Sequence, residues 1–377
     1  GESEQLTHGD FDVRHAAWAP DGKRLCFCRT RAEPGEAHCT DIWTLALDGS
    51  RPTDAQRVSF DQNNAGAPSW SPDGRWIVFS GAVDAGDAQM RLWLIDVEKA
   101  QVRGLGDESI EVMPGDLQWN RESTEVAFIQ VARGLQQIAV VSASSGDVRC
   151  VVKGDRHISK LAANGWLVYS SEAPASPLEL YCTRWDDGAE QQLSHFNDWW
   201  NQRITPQVEY RRFDVPDGRG GTEEVDGWLL RPGDAVADQP GPLLVDVHGG
   251  PASYVPLQFS THPYWQILCS RGWSVLALNA VGSSSYGREF SDRLREQWGE
   301  LDLPQHLAAV EQLRKEGIAD ERIAITGSSY GGYLSAYGIG HSDQFRAAVV
   351  CAPVANMESH YGTADSGYYA DAYSTDG

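Results

Sequence analysis

At 377 residues the chain is longer than one hydrophobic core normally organises, and 41% apolar with 10% aromatic residues is enough for two packed domains. A formal net charge of -22, from 53 acidic against 31 basic residues with no basic run, excludes a phosphate-backbone partner and an anionic membrane surface. No apolar run reaches the length of a transmembrane helix, so no nucleic acid and no membrane is expected as a partner.

The first ten residues, GESEQLTHGD, have neither a basic nor an apolar leader region, and a cytoplasmic home is the expectation. The chain opens without an initiator Met, which leaves room for a leader removed upstream. Glu4 to Thr7 resemble the stretch Gln56 to Ser59 that lies between the first two repeats described next, so the chain is expected to begin inside an array with further units upstream.

Trp18-Ala19-Pro20-Asp21-Gly22-Lys23-Arg24-Leu25-Cys26-Phe27 recurs as Trp70-Ser71-Pro72-Asp73-Gly74-Arg75-Trp76-Ile77-Val78-Phe79, a period the size of a propeller blade. In each copy Pro-Asp-Gly supplies a turn, with glycine taking the positive φ, and the apolar alternation that follows predicts a strand. Second strands are predicted over Asp41 to Leu45, before the turn Asp48-Gly49, and over Arg91 to Ile95. A third unit keeps the strands Val126 to Ile129 and Gln137 to Val141 but has lost the turn residues. A fourth runs through Asn164 to Tyr169 and Leu178 to Cys182. One turn sequence repeated in register points to a partial β-propeller of about four blades over residues 1–205, rather than to a sandwich. The tryptophans repeat with the blades and are expected mostly to pack. The seven cysteines are scattered and lack C-x-x-C spacing; they predict reduced, mostly buried thiols, with Cys26 and Cys28 on one strand face, and no metal site or cofactor.

From about residue 206 the pattern changes. An antiparallel pair (Val208 to Phe213, Glu224 to Leu230) leads to the apolar strand Leu243 to Val247, a helix from Pro263, and the strand Trp273 to Leu278. Leu303 to Lys315 has helical spacing with Leu307, Val310 and Leu313 on one stripe, and the strand Ile323 to Ile325 follows. A helix after Gly331 and the strand Ala347 to Val350 continue the alternation. This series predicts a mostly parallel sheet covered on both faces over residues 206–377, incomplete at its C-terminus. Glu223-Glu224 is expected to be solvated.

Gly327-Ser328-Ser329-Tyr330-Gly331 sits between a predicted strand and a predicted apolar helix, the context of a nucleophile elbow. A serine hydroxyl is a poor nucleophile unless it is exposed and a base can take its proton, and the elbow supplies the exposure. That makes Ser329 the candidate nucleophile. Gly327 and Gly331 leave room for the strained turn, and Gly332 extends the close helix-to-strand approach. About 80 residues earlier, His248-Gly249-Gly250-Pro251 directly follows a buried strand, where α/β-hydrolases build half of an oxyanion hole. The amides of Tyr330 and Gly250 are the candidate oxyanion donors. His248 precedes the serine, against the hydrolase order of serine, acid, histidine, and reads as an orienting residue.

The propeller repeats, His248 to Pro251, Asn279 to Gly287 (NAVGSSSYG), Trp298 to Asp302 (WGELD) and Gly327 to Tyr333 (GSSYGGY) together resemble the prolyl oligopeptidase family of serine peptidases. Its acylaminoacyl-peptidase and dipeptidyl-aminopeptidase-like bacterial branch is the nearest, and the likeness spans the chain. Val281 departs from it, standing where the family usually carries arginine. The resemblance implies that Ser329 attacks a peptide carbonyl to form an acyl-enzyme, while the propeller caps the site and admits short peptides. His341 and His360, with Asp343 and Glu358, are the only histidines and leading carboxylates after Ser329, whereas the family places its acid and base two strands further on. About 50 residues follow the elbow, and Tyr368 to Gly377 resemble a family loop. The expectation is therefore an internal segment of a longer enzyme, truncated at both ends, inactive alone because its Asp and His lie downstream. Two other readings share some of these features: a carboxylesterase, which lacks a propeller, and a catalytically silent propeller binding module, which would not need an intact elbow. Whether acylated residues, dipeptides or internal bonds are cut is not legible, and a homo-oligomer is compatible with the sequence.

Overall fold

The computed structural model describes residues 4–33, 35–48, 51–52, 54–84, 89–186, 188–233, 239–367, 370 and 374. Gly49 of the predicted turn and most of Tyr368 to Gly377 lie outside the described residues. Glu4 to Thr7 carry no strand.

As far as Gln192 the chain forms four antiparallel sheets in succession. Their main strands are Val13–Trp18, Arg24–Thr30 and Thr40–Asp48 in the first, and Asn63–Trp70, Trp76–Ala82, Arg91–Asp96 and Gln101–Leu105 in the second. The third is built on Glu125–Ala132, Leu135–Ser142 and Val148–Val152, the fourth on His157–Ala163, Leu167–Ala173 and Ser176–Thr183. The repeated turn behaves as its residues dictate. Gly22 and Gly74 take φ of 67° and 71°, and the carboxylates of Asp21 and Asp73 accept the N–H groups of Lys23 and Arg75. The third unit keeps the same turn with different chemistry. Ser123 holds the positive φ, 59°, and Asn120 Oδ1 accepts the N–H groups of Thr124 and Glu125.

Strand alternation then builds the propeller-like stack. Ile77 and Phe79 point into an apolar core shared with the first sheet, while Val78 points into one shared with the third. Val126 and Phe128 face the second sheet, and Ala127 and Ile129 face the fourth. Each of these cores therefore lies between sheets that are neighbours in chain order. Trp70 and Trp119 fill such seams, whereas Trp18, on the outer strand of the first sheet, is 57% exposed. All seven cysteines are unpaired; five are buried, Cys150 is half-buried and Cys351 is exposed.

The rest of the chain forms one six-stranded sheet. We label its strands β1 (Gln207–Pro216), β2 (Thr222–Arg231), β3 (Gly241–Val247), β4 (Ser274–Asn279), β5 (Ala319–Ser328) and β6 (Phe345–Cys351). They lie in the order β1-β2-β4-β3-β5-β6; β1 and β2 are antiparallel, as are β2 and β4, and the remaining pairs are parallel. Helices α1 (Pro263–Cys269), α2 (Arg288–Asp292), α3 (Asp302–Lys315), α4 (Tyr330–His341) and α5 (Met357–Thr363) fill the connections. α3 and α4 pack on one face through Ala309, Val310, Leu313 and Leu334. α1 packs on the other through Trp265 and Cys269. No helix among the described residues is long and apolar enough to cross a membrane.

Glu223 corrects an expectation. It is not simply solvated: its carboxylate accepts two hydrogen bonds of 2.7 Å from Arg293 and one of 2.9 Å from Gln305, tying the opening hairpin to the helical layer. Glu224, its neighbour on the other face, is exposed.

The third and fourth sheets dock onto the hydrolase-like sheet. At the tip of the third sheet's central hairpin, Arg133 N–H donates to Ser285 O and Gly134 N–H to Ser285 Oγ, both at 2.7 Å, and the Arg133 guanidinium meets buried Asp226 at 2.9 Å. Glu111 accepts the N–H groups of Ser285 and Gly287, and Glu172 accepts the N–H and hydroxyl of Ser260.

Candidate active site

β5 ends at Ser328 and α4 begins at Tyr330, so Ser329 alone makes the turn, at φ 59° and ψ -120°. A non-glycine residue in that region is strained and persists only where its surroundings hold it. Here Ser329 N–H donates to Cys351 O at the end of β6 (3.1 Å), and the side chain is exposed. The neighbouring glycines are required by close backbone approaches. A Cβ on Gly331 would stand 2.1 Å from Val247 O, one on Gly332 2.3 Å from Cys351 O, and one on Gly327 2.5 Å from the Gly331 backbone. Each obstacle is main chain and cannot rotate away.

His248-Gly249-Gly250-Pro251 leaves the end of β3 beside this turn. A Cβ on Gly249 would lie only 3.6 Å from Ser329 Cβ. Gly250 has φ 124° and its peptide bond to Pro251 is cis. His248 is half-buried, and the loss of solvent around its ring pushes its pKa down and keeps the ring neutral. A neutral ring donates from one nitrogen: Nδ1–H to Gly249 O (2.7 Å), while Nε2 lies 3.0 Å from the Ser283 hydroxyl, which also reaches Ala280 O at 2.7 Å. The Gly249–Gly250 peptide is trans, so holding its carbonyl on the histidine side aims the Gly250 N–H the opposite way. Both His248 nitrogens are thus engaged away from Ser329. His306, buried close to it, is likewise pushed down, to about 3. Among the described residues neither the Tyr330 nor the Gly250 N–H has an acceptor, so both remain available to a ligand oxygen.

No side chain among the described residues hydrogen-bonds the Ser329 hydroxyl. His341 sits at the far end of α4, roughly 18 Å along the helix axis from Ser329 at the usual rise per residue. Its Nδ1 is held at 2.8 Å from Tyr337 O, and its ring stacks on Tyr337. His360 lies on α5 beyond β6. Neither is brought into a triad with Asp343 or Glu358.

Some of the machinery was not singled out from sequence. The Tyr330 ring is buried and its hydroxyl donates to Asp302 Oδ2, while Asp302 Oδ1 accepts Gly299 N–H at 2.8 Å. Burial pushes the Asp302 carboxyl up to about 6. Trp298 closes this socket edge-on against Tyr330, 4.7 Å between ring centroids. The signal was present in WGELD, whose residues had no assigned roles. Val281 does not face the site: it is buried in the core over β4, and its N–H donates to Gln305 Oε1 at 2.8 Å.

A cavity of about 1380 Å³ lies between the two halves. Met113, Asp116 and Lys160 line it from the blades, and His248, Gly250 and Trp265 from the other side. Gly327 and Ser328 also line it, while Ser329 itself does not. At its floor Asp246 accepts the Tyr264 hydroxyl and the Trp265 indole N–H, fixing α1 to β3.

Residues 258–377 match the model of the prolyl oligopeptidase family. The uncharacterized peptidase YuxL of Bacillus subtilis is 27% identical over 98% of this chain and 70% of its own length. Dipeptidyl-peptidase 5 of Porphyromonas gingivalis is 23% identical over 95% of this chain and 53% of its own. Among solved structures, the acylaminoacyl peptidase of Pyrococcus horikoshii superposes with a TM-score of 0.78 at 26% identity, covering 95% of this chain and 55% of that one. The chain thus spans little more than half the length of the last two.

Proposed function

We propose, from the match of residues 258–377 to the prolyl oligopeptidase family, that this chain carries the nucleophile and oxyanion donors of a serine peptidase acting on short peptides. Ser329 attacks the peptide carbonyl, an acyl-enzyme forms as the amine leaves, and the amides of Tyr330 and Gly250 take the developing oxyanion. The observation that carries this reading is the strained, exposed Ser329 pinned between β5 and α4 beside the His248 to Pro251 loop, so close that a side chain on Gly249 would come 3.6 Å from Ser329 Cβ. Gly327, Gly331 and Gly332 permit that approach, Gly249 and Pro251 shape the loop, and His248 orients it.

Taking residues 1–205 as propeller and 206–377 as hydrolase, the blades form one wall of the cavity, which limits the substrate to peptides small enough to enter between the halves. The relatives' names support release of an acylated amino acid or of a dipeptide from a short peptide. Attack requires a base. With none on Ser329 among the described residues, we propose that the acid and base come from residues outside this chain. The free thiols fit a reducing compartment such as the cytoplasm.

The test compares acyl-peptide and dipeptide p-nitroanilides with p-nitrophenyl esters on the full-length protein and its Ser329→Ala variant. Peptide turnover lost in the variant supports the reading; ester hydrolysis without peptide hydrolysis would make the protein a carboxylesterase, and no turnover at all a binding module. Fluorophosphonate labelling adds a check. Ser329 in the full-length protein should react readily, and in residues 1–377 alone it should react poorly.

A further inference from the structure

α3 and α4 meet at their N-terminal ends, and one hydrogen bond joins them there. The first residue of α4 is Tyr330, whose backbone N–H points out of the helix end beside Ser329 and whose ring points inward. That ring is 3% exposed, and its hydroxyl ends on the carboxylate of Asp302, the first residue of α3, itself 1% exposed. The other carboxylate oxygen accepts Gly299 N–H, and Trp298 covers the ring face-to-edge. Gly299 has φ 80°, and a Cβ there would stand 2.5 Å from the Tyr337 ring, so the chain before α3 is held as tightly as the helix.

A backbone N–H has no torsion of its own and goes where its peptide plane goes. Burying a carboxylate is costly, and apolar packing alone would hold a phenylalanine ring at position 330. What the carboxylate adds is direction: a charge-assisted bond to the hydroxyl fixes how far and at what angle the ring, and the Cα behind it, sit over α3.

We propose that Asp302 is a positioning residue for acyl transfer, which by holding the Tyr330 hydroxyl aims the Tyr330 amide at the oxyanion. This rests on the reading of Tyr330 as an oxyanion donor. Oxyanion donors act mainly on the transition state, so the effect belongs in kcat rather than KM.

In the full-length protein, Tyr330→Phe and Asp302→Asn should each lower kcat about 10- to 100-fold, less than outright loss of a donor, with KM changed by less than about twofold. A peptide boronate, which forms a tetrahedral adduct on Ser329, should lose affinity in parallel, while a product peptide should not. The two changes break one link, so the double variant should be no slower than the slower single variant. If both single variants keep parental kcat and boronate affinity while Ser329→Ala is inactive, the socket is only structural and the proposal is wrong. Should Asp302→Asn fail to fold, Tyr330→Phe decides alone. If Ser329→Ala still cleaves peptides, the acyl-transfer reading itself fails and the proposal falls with it.

Discussion

The two halves of this molecule tolerate change in opposite ways. In the blades a turn can lose its glycine and proline, as at Asn120 to Ser123, and still form, because an asparagine side chain supplies the hydrogen bonds and the alternating strand does the rest. Around Ser329 no such substitution is open, because backbone meets backbone at Gly327, Gly331 and Gly332. A repeated architecture spreads its requirements over many equivalent positions, whereas a site concentrates them in a few.

That contrast can be tested from its strongest point downward. Ser329→Ala should remove peptide turnover in the full-length protein by at least about 10⁴-fold, since loss of a nucleophile leaves only binding and oxyanion stabilisation; the progress curve of a p-nitroanilide assay measures it. Gly331→Ala should cost on the order of 4 kcal/mol or prevent folding, because the new methyl meets the Val247 carbonyl. In the blades, Gly74→Ala should cost only about 1 kcal/mol, the positive φ being its main penalty; paired urea denaturations compare the two. Equal costs would erase the contrast.

Asp302 offers a sharper, pH-dependent test. Its folded-state pKa is raised from 3.8 to about 6 by burial, so the folded protein holds this proton more tightly than the unfolded chain. The favourable contribution of the group is full below the unfolded value, is lost as pH rises from about 4 to about 6, and is absent above. The difference is about 3 kcal/mol. Asp302→Asn should therefore flatten the melting temperature across that window while impairing catalysis. The smallest effect is expected at Ser123, where φ is 59° and the hydroxyl accepts the Asp73 N–H: Ser123→Gly relieves the backbone but removes that hydrogen bond, so the stability read from the urea midpoint should move by less than about 0.5 kcal/mol.

The same difference governs what was legible in the sequence. The blade strands followed from alternation and the Pro-Asp-Gly turn, and even the decayed third unit fell where Val126 and Phe128 predicted. The parallel sheet followed from its buried runs, and the elbow from the glycines at fixed spacing around Ser329. The roles of Asp302 and Glu223 were not legible, because each depends on a partner brought from another element. Tyr330 lies 28 positions from Asp302, and Arg293 lies 70 from Glu223. Exposure at Trp18 was hidden for a similar reason: a repeat specifies the side chain, and its neighbour decides whether it is covered.

Main-chain groups carry about half of the docking between the halves. Glu111 takes two backbone N–H groups of the 285–287 loop, Glu172 takes the Ser260 N–H, Gln266 reaches the Pro174 carbonyl, and the Arg133 N–H meets the Ser285 carbonyl. A main-chain carbonyl is there whatever residue stands at the position, and a main-chain N–H wherever that residue is not proline. At those contacts one surface can drift in sequence without losing its hold on the other, and blades from a distant relative could be grafted onto this hydrolase half if they kept the facing side chains and pairs such as Arg133–Asp226 and His157–Gln258.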